Sequence, residues 1–182
     1  MAYREAMLKH NQTFVETKKY EQYITTKFPE RKVAILTCMD TRLIELLPAA
    51  LNLKNGDVKI IKNSGGVISH PFGSAVRSLL ICIYELGVEE IYVIGHHDCG
   101  MHNLKSEALT EKMKARGVRD KDLETIGYFG IDVDDWLKGF NDPAESVKET
   151  VKSLKKHPLI PKDVLCSGHL MDPVTGKLDV VE

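Results

Sequence analysis

This chain has few cysteines, no long apolar run and no surplus of either charge. No uninterrupted apolar stretch approaches the length that crosses a bilayer, which excludes a transmembrane helix. Met1-Ala2-Tyr3-Arg4-Glu5 lacks the apolar centre of a secretory signal, so a cytoplasmic location is expected. Lysine and arginine number 25 against 26 aspartates and glutamates, and both signs are spread along the chain. That balance excludes an extended nucleic-acid surface. The four cysteines, Cys38, Cys82, Cys99 and Cys166, include no Cys-x-x-Cys pair. In a reducing compartment they are not a disulfide framework, and metal binding or plain burial is expected for each. Internal repeats and low-complexity tracts are absent as well.

What is present is 182 residues, 43% hydrophobic and 28% charged, enough for a single domain over 1–182 with its own core. Residues 1–30 read as an amphipathic helical arm, with Phe14, Val15, Tyr20, Tyr23 and Ile24 among many charges. A monomer would leave that stripe exposed, so the arm is expected to seek a partner. Residues 31–182 read as the core. Apolar runs predict strands at 32–37, 58–62, 90–94 and 164–171, with a terminal strand at 177–181. Helices are predicted at 44–51, limited by Pro48, at 73–86, stopped by Gly87, and near 100–101. A last helix is predicted at 143–156, with Asp142 as N-cap and Pro143 in first position. Residues 105–135 are charged and weakly periodic, and read as a variable excursion. Strands alternating with helices predict an α/β fold: a central, largely parallel β-sheet flanked by helices, with an N-terminal helical arm and a C-terminal β-hairpin.

The chemistry gathers at two strand ends. Cys38-Met39-Asp40-Thr41-Arg42 follows the first predicted strand, and His96-His97-Asp98-Cys99 follows the third. Parallel sheets bind ligands outside the carboxyl ends of their strands. Two thiols and an imidazole there form a soft donor set that suits Zn²⁺, one ion per chain. Three protein ligands leave a fourth position for water or a nearby carboxylate, as in catalytic zinc sites, where bound water has a pKa of about 7. In extended chain Asp40 and Arg42 share a face with Cys38, and a bidentate arginine would fix the carboxylate. A helix starting beside Cys99 is expected to help hold its thiolate. Cys82 and Cys166 read as packing residues. His97 and His102 read first as surface histidines, although their reference pKa of about 6.5 suits proton transfer. Asn63-Ser64-Gly65-Gly66 lacks the Lys-Ser/Thr pair of a phosphate loop.

Cys-x-Asp-x-Arg followed by His-x-x-Cys-Gly resembles the β-class carbonic anhydrases, in their small prokaryotic branch. Asn63-Ser64-Gly65-Gly66 resembles the family's Asn-Ala-Gly loop, and Arg77-Ser78-Leu79 its following helix. Gly168-x-x-x-Asp172-x-x-Thr175-Gly176-x-Leu178 resembles its closing hairpin. The resemblance implies Cys38, His96 and Cys99 as zinc ligands, with an Asp40–Arg42 dyad beside the open position. It implies that Asp40 becomes a fourth ligand only in a closed state. The implied reaction is reversible hydration of CO₂ to bicarbonate and a proton. Asp40 then aims the attacking oxygen, and Gly100, Asn63 and Gly65 contact the substrate. A homodimer or a higher multiple, clasped by the arm, is implied too; nucleic acid and membrane are not expected partners. Departures are Ser64 for the usual alanine, His70-Pro71-Phe72-Gly73 where an acidic pair is frequent, and Lys62 where bicarbonate-regulated members carry arginine. Two rival readings use the same residues: a hydrolase acting on CS₂ or COS, and a zinc-binding protein without turnover. The Asp40–Arg42 pair argues against the second, because a purely structural site needs no such dyad.

Overall fold

Four apolar runs become parallel strands, and the two central ones are covered on both faces. A computed structural model describes residues 3–182. Its strands are β1 (Val33–Cys38), β2 (Val58–Asn63), β3 (Glu90–His96), β4 (Leu165–Met171) and β5 (Leu178–Val180), in the order β2-β1-β3-β4-β5. The first four in that order are parallel, and β5 runs antiparallel to β4. All six residues of β1 are buried, as a central strand of a covered parallel sheet requires. The helices are α1 (Tyr3–Glu16), α2 (Leu46–Ala50), α3 (Ser74–Leu86), α4 (Ser106–Lys114), α5 (Asp120–Gly127), α6 (Val133–Leu137) and α7 (Pro143–Lys156).

Two apolar clusters make the core, one per sheet face. In the first, Ala34 and Val93 pack with Leu79 of α3 and with Val147, Val151 and Leu154 of α7. In the second, Val33, Ile35 and Ile94 pack with Leu43, Leu47 and Met171. Alternation along each strand sends neighbouring residues to opposite clusters. Cys82 is buried in the first cluster and Cys166 packs against its edge, as expected for packing residues.

The strand register places the site. Thr37 pairs with Ile94 across β1 and β3, and Cys38 pairs with Asn63 across β1 and β2. Cys38 therefore closes β1 beside the end of β3, where His96 lies opposite Met171. β2 lies on one side of β1 and β3 on the other, so the chain reverses its order of addition at the β1/β3 gap. Open α/β sheets hold their ligands at that point.

Several expectations change at the edges. Lys32 has a φ of 55°, so β1 starts one residue late, and β3 runs two residues further than predicted, to His96. The arm helix stops at Glu16 and does not reach residue 30, because Lys18 turns into the left-handed region at φ 55°. The chain then doubles back, bringing the Phe14 and Tyr23 rings to 6.2 Å. Residues 1 and 2 of the predicted arm lie outside the described residues. The helix expected near 100–101 does not form; turns fill that segment, with Asn103 at φ 57°. Residues 105–135 instead contain α4 and α5 and the start of α6. Ser106 is the single buried residue of α4, and α5 and α6 have none, so there was no strong apolar period to read. Pro48 is accommodated because α2 has five residues and Pro48 sits in its first turn, where an N–H has no intrahelical partner. Gly87, at φ 70°, ends α3, and the Asp142 carboxylate accepts from Glu145 N at 2.7 Å to cap α7, both as predicted.

Candidate metal centre

Cys38 arrives as the last residue of β1, His96 as the last of β3, and Cys99 three residues later on a tight turn. All three side chains are buried, and their donor atoms lie within 4.8 Å of one another. The two sulfurs are 3.8 Å apart. A tetrahedral zinc about 2.3 Å from each sulfur would set them about 3.8 Å apart. His96 Nδ1 is 2.8 Å from the His97 carbonyl, which can only accept, so Nδ1 carries the proton. Nε2 then offers its lone pair, and this buried atom has no hydrogen-bond partner among the described residues. A soft cation fits this set: it would take the orphaned imidazole lone pair and both sulfurs.

The loop after β2 cradles Cys38. Met39 N donates to Asn63 O at 2.9 Å and extends the ladder past the strand ends. The Asn63 side chain braces the loop, with Nδ2 donating to Val67 O at 2.7 Å and Oδ1 accepting from Val67 N at 3.1 Å. Gly65 and Gly66 both have positive φ, 82° and 66°. A Cβ on Gly66 would stand 2.9 Å from the Thr37 carbonyl carbon and 3.0 Å from Cys38 N, both backbone atoms. Gly66→Ala is therefore expected to cost about 1–3 kcal/mol in a urea melt and to weaken metal retention by displacing Cys38.

Burial pushes the Cys38 thiol up, but the adjoining His96 ring and hydrogen bonds from the Asp40 and Gly65 backbone N–H groups bring it down to about 7. Cys99 goes the other way. Burial, reinforced by the neighbouring Cys38 sulfur, pushes it up to about 11 against a single helpful N–H from Met101. The expected helix N-terminus beside Cys99 is absent, so helix N–H groups do not hold its thiolate. A bound cation would supply what the backbone does not.

Asp40 and Arg42 meet as expected, but not in extended chain: Thr41–Leu43 is a turn of 3₁₀ helix capped by the Asp40 side chain. The Arg42 Nε and Nη2 atoms donate to the two Asp40 carboxylate oxygens at 3.0 and 2.9 Å, and Arg42 N adds a third bond at 2.9 Å. These bonds hold Asp40 down at about pH 2. Asp40 Oδ2 lies 3.8 Å from His96 Nε2, so the carboxylate stands beside the donor set without joining it. Asp98, which the spacing did not single out, receives the rest of the guanidinium: Nη1 donates to its Oδ2 and Nη2 to its carbonyl, each at 2.8 Å. Arg42 and Asp98 are 56 residues apart, and no periodicity could signal that meeting.

The remaining predicted residues lie around this group. Gly100 is exposed on the turn after Cys99. His97 is exposed; the His102 ring nitrogen Nε2 is 2.9 Å from the Asn141 carbonyl. Lys62 Nζ donates to Leu43 O at 3.3 Å, and burial lowers its pKa. A cavity of about 310 Å³ adjoins the loop, lined by Asn63, Ser64, His70, Met101, Leu109 and Trp136 among others. Leu109 of the charged excursion thus helps wall a cavity at the Asn63–Ser64 loop, whose lining contains none of the metal donors. A larger cavity of about 680 Å³ lies by Glu90 and Leu165, at the opposite strand ends, and contains none of the metal donors.

A carbonic anhydrase family profile matches residues 33–171. The Bacillus subtilis (strain 168) protein named "Putative carbonic anhydrase YtiB" is 54% identical over 96% of this chain and 94% of its own length. A protein of Acidithiobacillus thiooxidans named carbon disulfide hydrolase is 31% identical over 81% of this chain and 76% of its own. The crystal structure of β-carbonic anhydrase isoform I from Trichomonas vaginalis superposes with a TM-score of 0.90 at 36% identity, covering 100% of this chain and 98% of that one.

Proposed function

Because this chain belongs to the β-carbonic anhydrase family, we propose that it catalyses the reversible hydration of CO₂ to bicarbonate and a proton, with Zn²⁺ held by Cys38, His96 and Cys99. The observation that carries this reading is the ionised Asp40, clamped by Arg42, beside a buried Cys₂His donor set. When bound, zinc supplies Lewis acidity that brings the pKa of water to about 7. The chain's own residues supply orientation. His97 O fixes the His96 tautomer and aims Nε2 inward. Asp40, being ionised, is an acceptor only. It takes a hydrogen bond from the attacking water and turns a lone pair toward the CO₂ carbon. Arg42 holds the carboxylate off the donor set; Asp40 becomes a fourth ligand only in a closed arrangement. Gly100 N–H supports a substrate oxygen at the rim. Asn63 contributes its second amide hydrogen. Gly65 acts on substrate mainly by shaping the loop, since its N–H already serves Cys38.

The named relationship to a carbon disulfide hydrolase supports one rival, hydrolysis of CS₂ or COS by the same donor set. Stopped-flow CO₂ hydration on zinc-loaded protein, with CS₂ and COS consumption measured in parallel, separates the two. Fast CO₂ turnover is expected. Turnover of the sulfur substrates alone would favour the rival, and none at all would leave a binding protein.

We assign residues 1–30 the role of a dimerisation arm and residues 31–182 that of the zinc-binding core. α1 buries none of its residues, and Met7, Leu8 and Val15 are all more than half exposed. Such a stripe is covered in an assembly, and closed two-fold dimers are the commonest solution. Deleting residues 1–16 is expected to convert a homodimer, or a multiple of it, into monomer in sedimentation velocity. A full-length protein that sediments as monomer would remove the assignment. Among the described residues no helix is long and apolar enough to cross a membrane.

A further inference from the structure

Arg42 is shared between two carboxylates, Asp40 after β1 and Asp98 after β3. One edge of the guanidinium binds Asp40, whose side chain is 17% exposed; the other binds Asp98, which is 85% exposed. An ion pair that open to solvent adds little stability. Its geometry is nevertheless specific. Asp98 holds the guanidinium through both its carboxylate and its carbonyl, and it does so from φ 53°, a conformation that non-glycine residues other than Asp and Asn rarely adopt. Asp98 also lies within the turn that joins His96 to Cys99. The contact therefore ties the segment carrying two metal donors to the arginine that carries Asp40.

We infer that Asp98 is a positioning residue that draws Arg42 toward solvent and, through it, keeps the Asp40 carboxylate off the fourth metal position. This rests on the metal-centre reading above and deepens it. Without the Asp98 carboxylate, the guanidinium keeps only the residue 98 carbonyl as a partner outside the Asp40 pair. The carboxylate is then free to move inward from its place 3.8 Å from His96 Nε2 and compete for the metal. Asp98 touches neither substrate nor metal donors and acts only through Arg42.

The test reads the fourth position directly. Co²⁺-loaded protein is titrated with azide, a small anion that needs an open metal position, and followed by the visible cobalt absorption. Asp98→Gly keeps the backbone carbonyl and is at ease at positive φ, so the turn is preserved. It is expected to weaken azide binding about tenfold or more, the scale of losing an outer partner of a metal site. Asp98→Asn retains an oxygen for Nη1 and is expected to lose less. In an Asp40→Ala background, Asp98→Gly should change nothing, because no carboxylate remains to compete. Unchanged or tighter azide binding in cobalt-replete Asp98→Gly would overturn the inference and leave the metal centre standing. An equal loss in the Asp40→Ala background would also overturn it, by showing a merely structural effect. Failure of the unaltered protein to take up cobalt would remove the metal reading and this inference together.

Discussion

Cys38→Ser and Cys99→Ser are each expected to reduce zinc from about one ion per chain to about a tenth or less after dialysis. Each replaces a thiolate donor by a hydroxyl that stays protonated at neutral pH, leaving two protein ligands. CO₂ hydration should fall by on the order of 10³-fold or more, since water without the metal loses its pKa of about 7 and no longer gives hydroxide at neutral pH. The chain should stay folded, because Cys38 and Cys99 lie at the lip of the second cluster while Leu43, Leu47 and Ile94 form its interior. Atomic absorption on the purified variants, alongside a urea melt, decides the matter. Full zinc retention in both variants would remove the assignment.

Asp40→Ala and Arg42→Ala separate mechanism from metal binding. Both are expected to retain zinc. Asp40→Ala should lose about 10²- to 10⁴-fold in turnover, the range for a positioned acid–base group. Arg42→Ala should fall by about 10²-fold near neutral pH, because the released carboxylate closes on the metal. The pH profile distinguishes them. With Asp40 held at about 2 by Arg42, its folded value lies below the ordinary carboxylate value. Its favourable contribution to stability is therefore complete above about pH 4 and is lost only as pH falls toward 2. Titration of Asp40 cannot shape activity between pH 6 and 9. A rise of activity with pH in that window instead reflects ionisation of metal-bound water, whose pKa is about 7, opposed by any carboxylate that reaches the fourth position. That rise should move to higher pH in Arg42→Ala and, in Asp40→Ala, persist at the position set by the water alone. Near-normal turnover in both zinc-replete variants would overturn the dyad's role.

The strands were legible because β1 and β3 are buried on both faces and so appear as unbroken apolar runs. α3 was legible from its apolar face and from Gly87. The donor set was legible because strand ends, not spacing alone, bring Cys38 and His96 together. What sequence did not reveal has two physical causes. α4 to α6 bury too little to leave a period, although Leu109 and Trp136 wall the cavity at the loop after β2. Asp98 acts across 56 residues through one guanidinium, and only the β1/β3 register brings its partner near.

The crossover between β1 and β3 also sets the order of events as the chain folds. The two thiols that face each other are separated by 61 residues, with β2 and α3 between them. Pairing so far apart in sequence is slow to form, because loop closure has to be overcome before the contact rewards it. In the unfolded chain the donors are strangers, and only the finished centre of the sheet introduces them. A metal held there would be a late arrival that locks a folded chain, adding stability as its free concentration rises above its dissociation constant. It would not template the fold, as zinc does in small fingers that collapse without it. Growth under metal limitation would therefore leave a population of intact, silent molecules, which later metal supply could switch on without refolding.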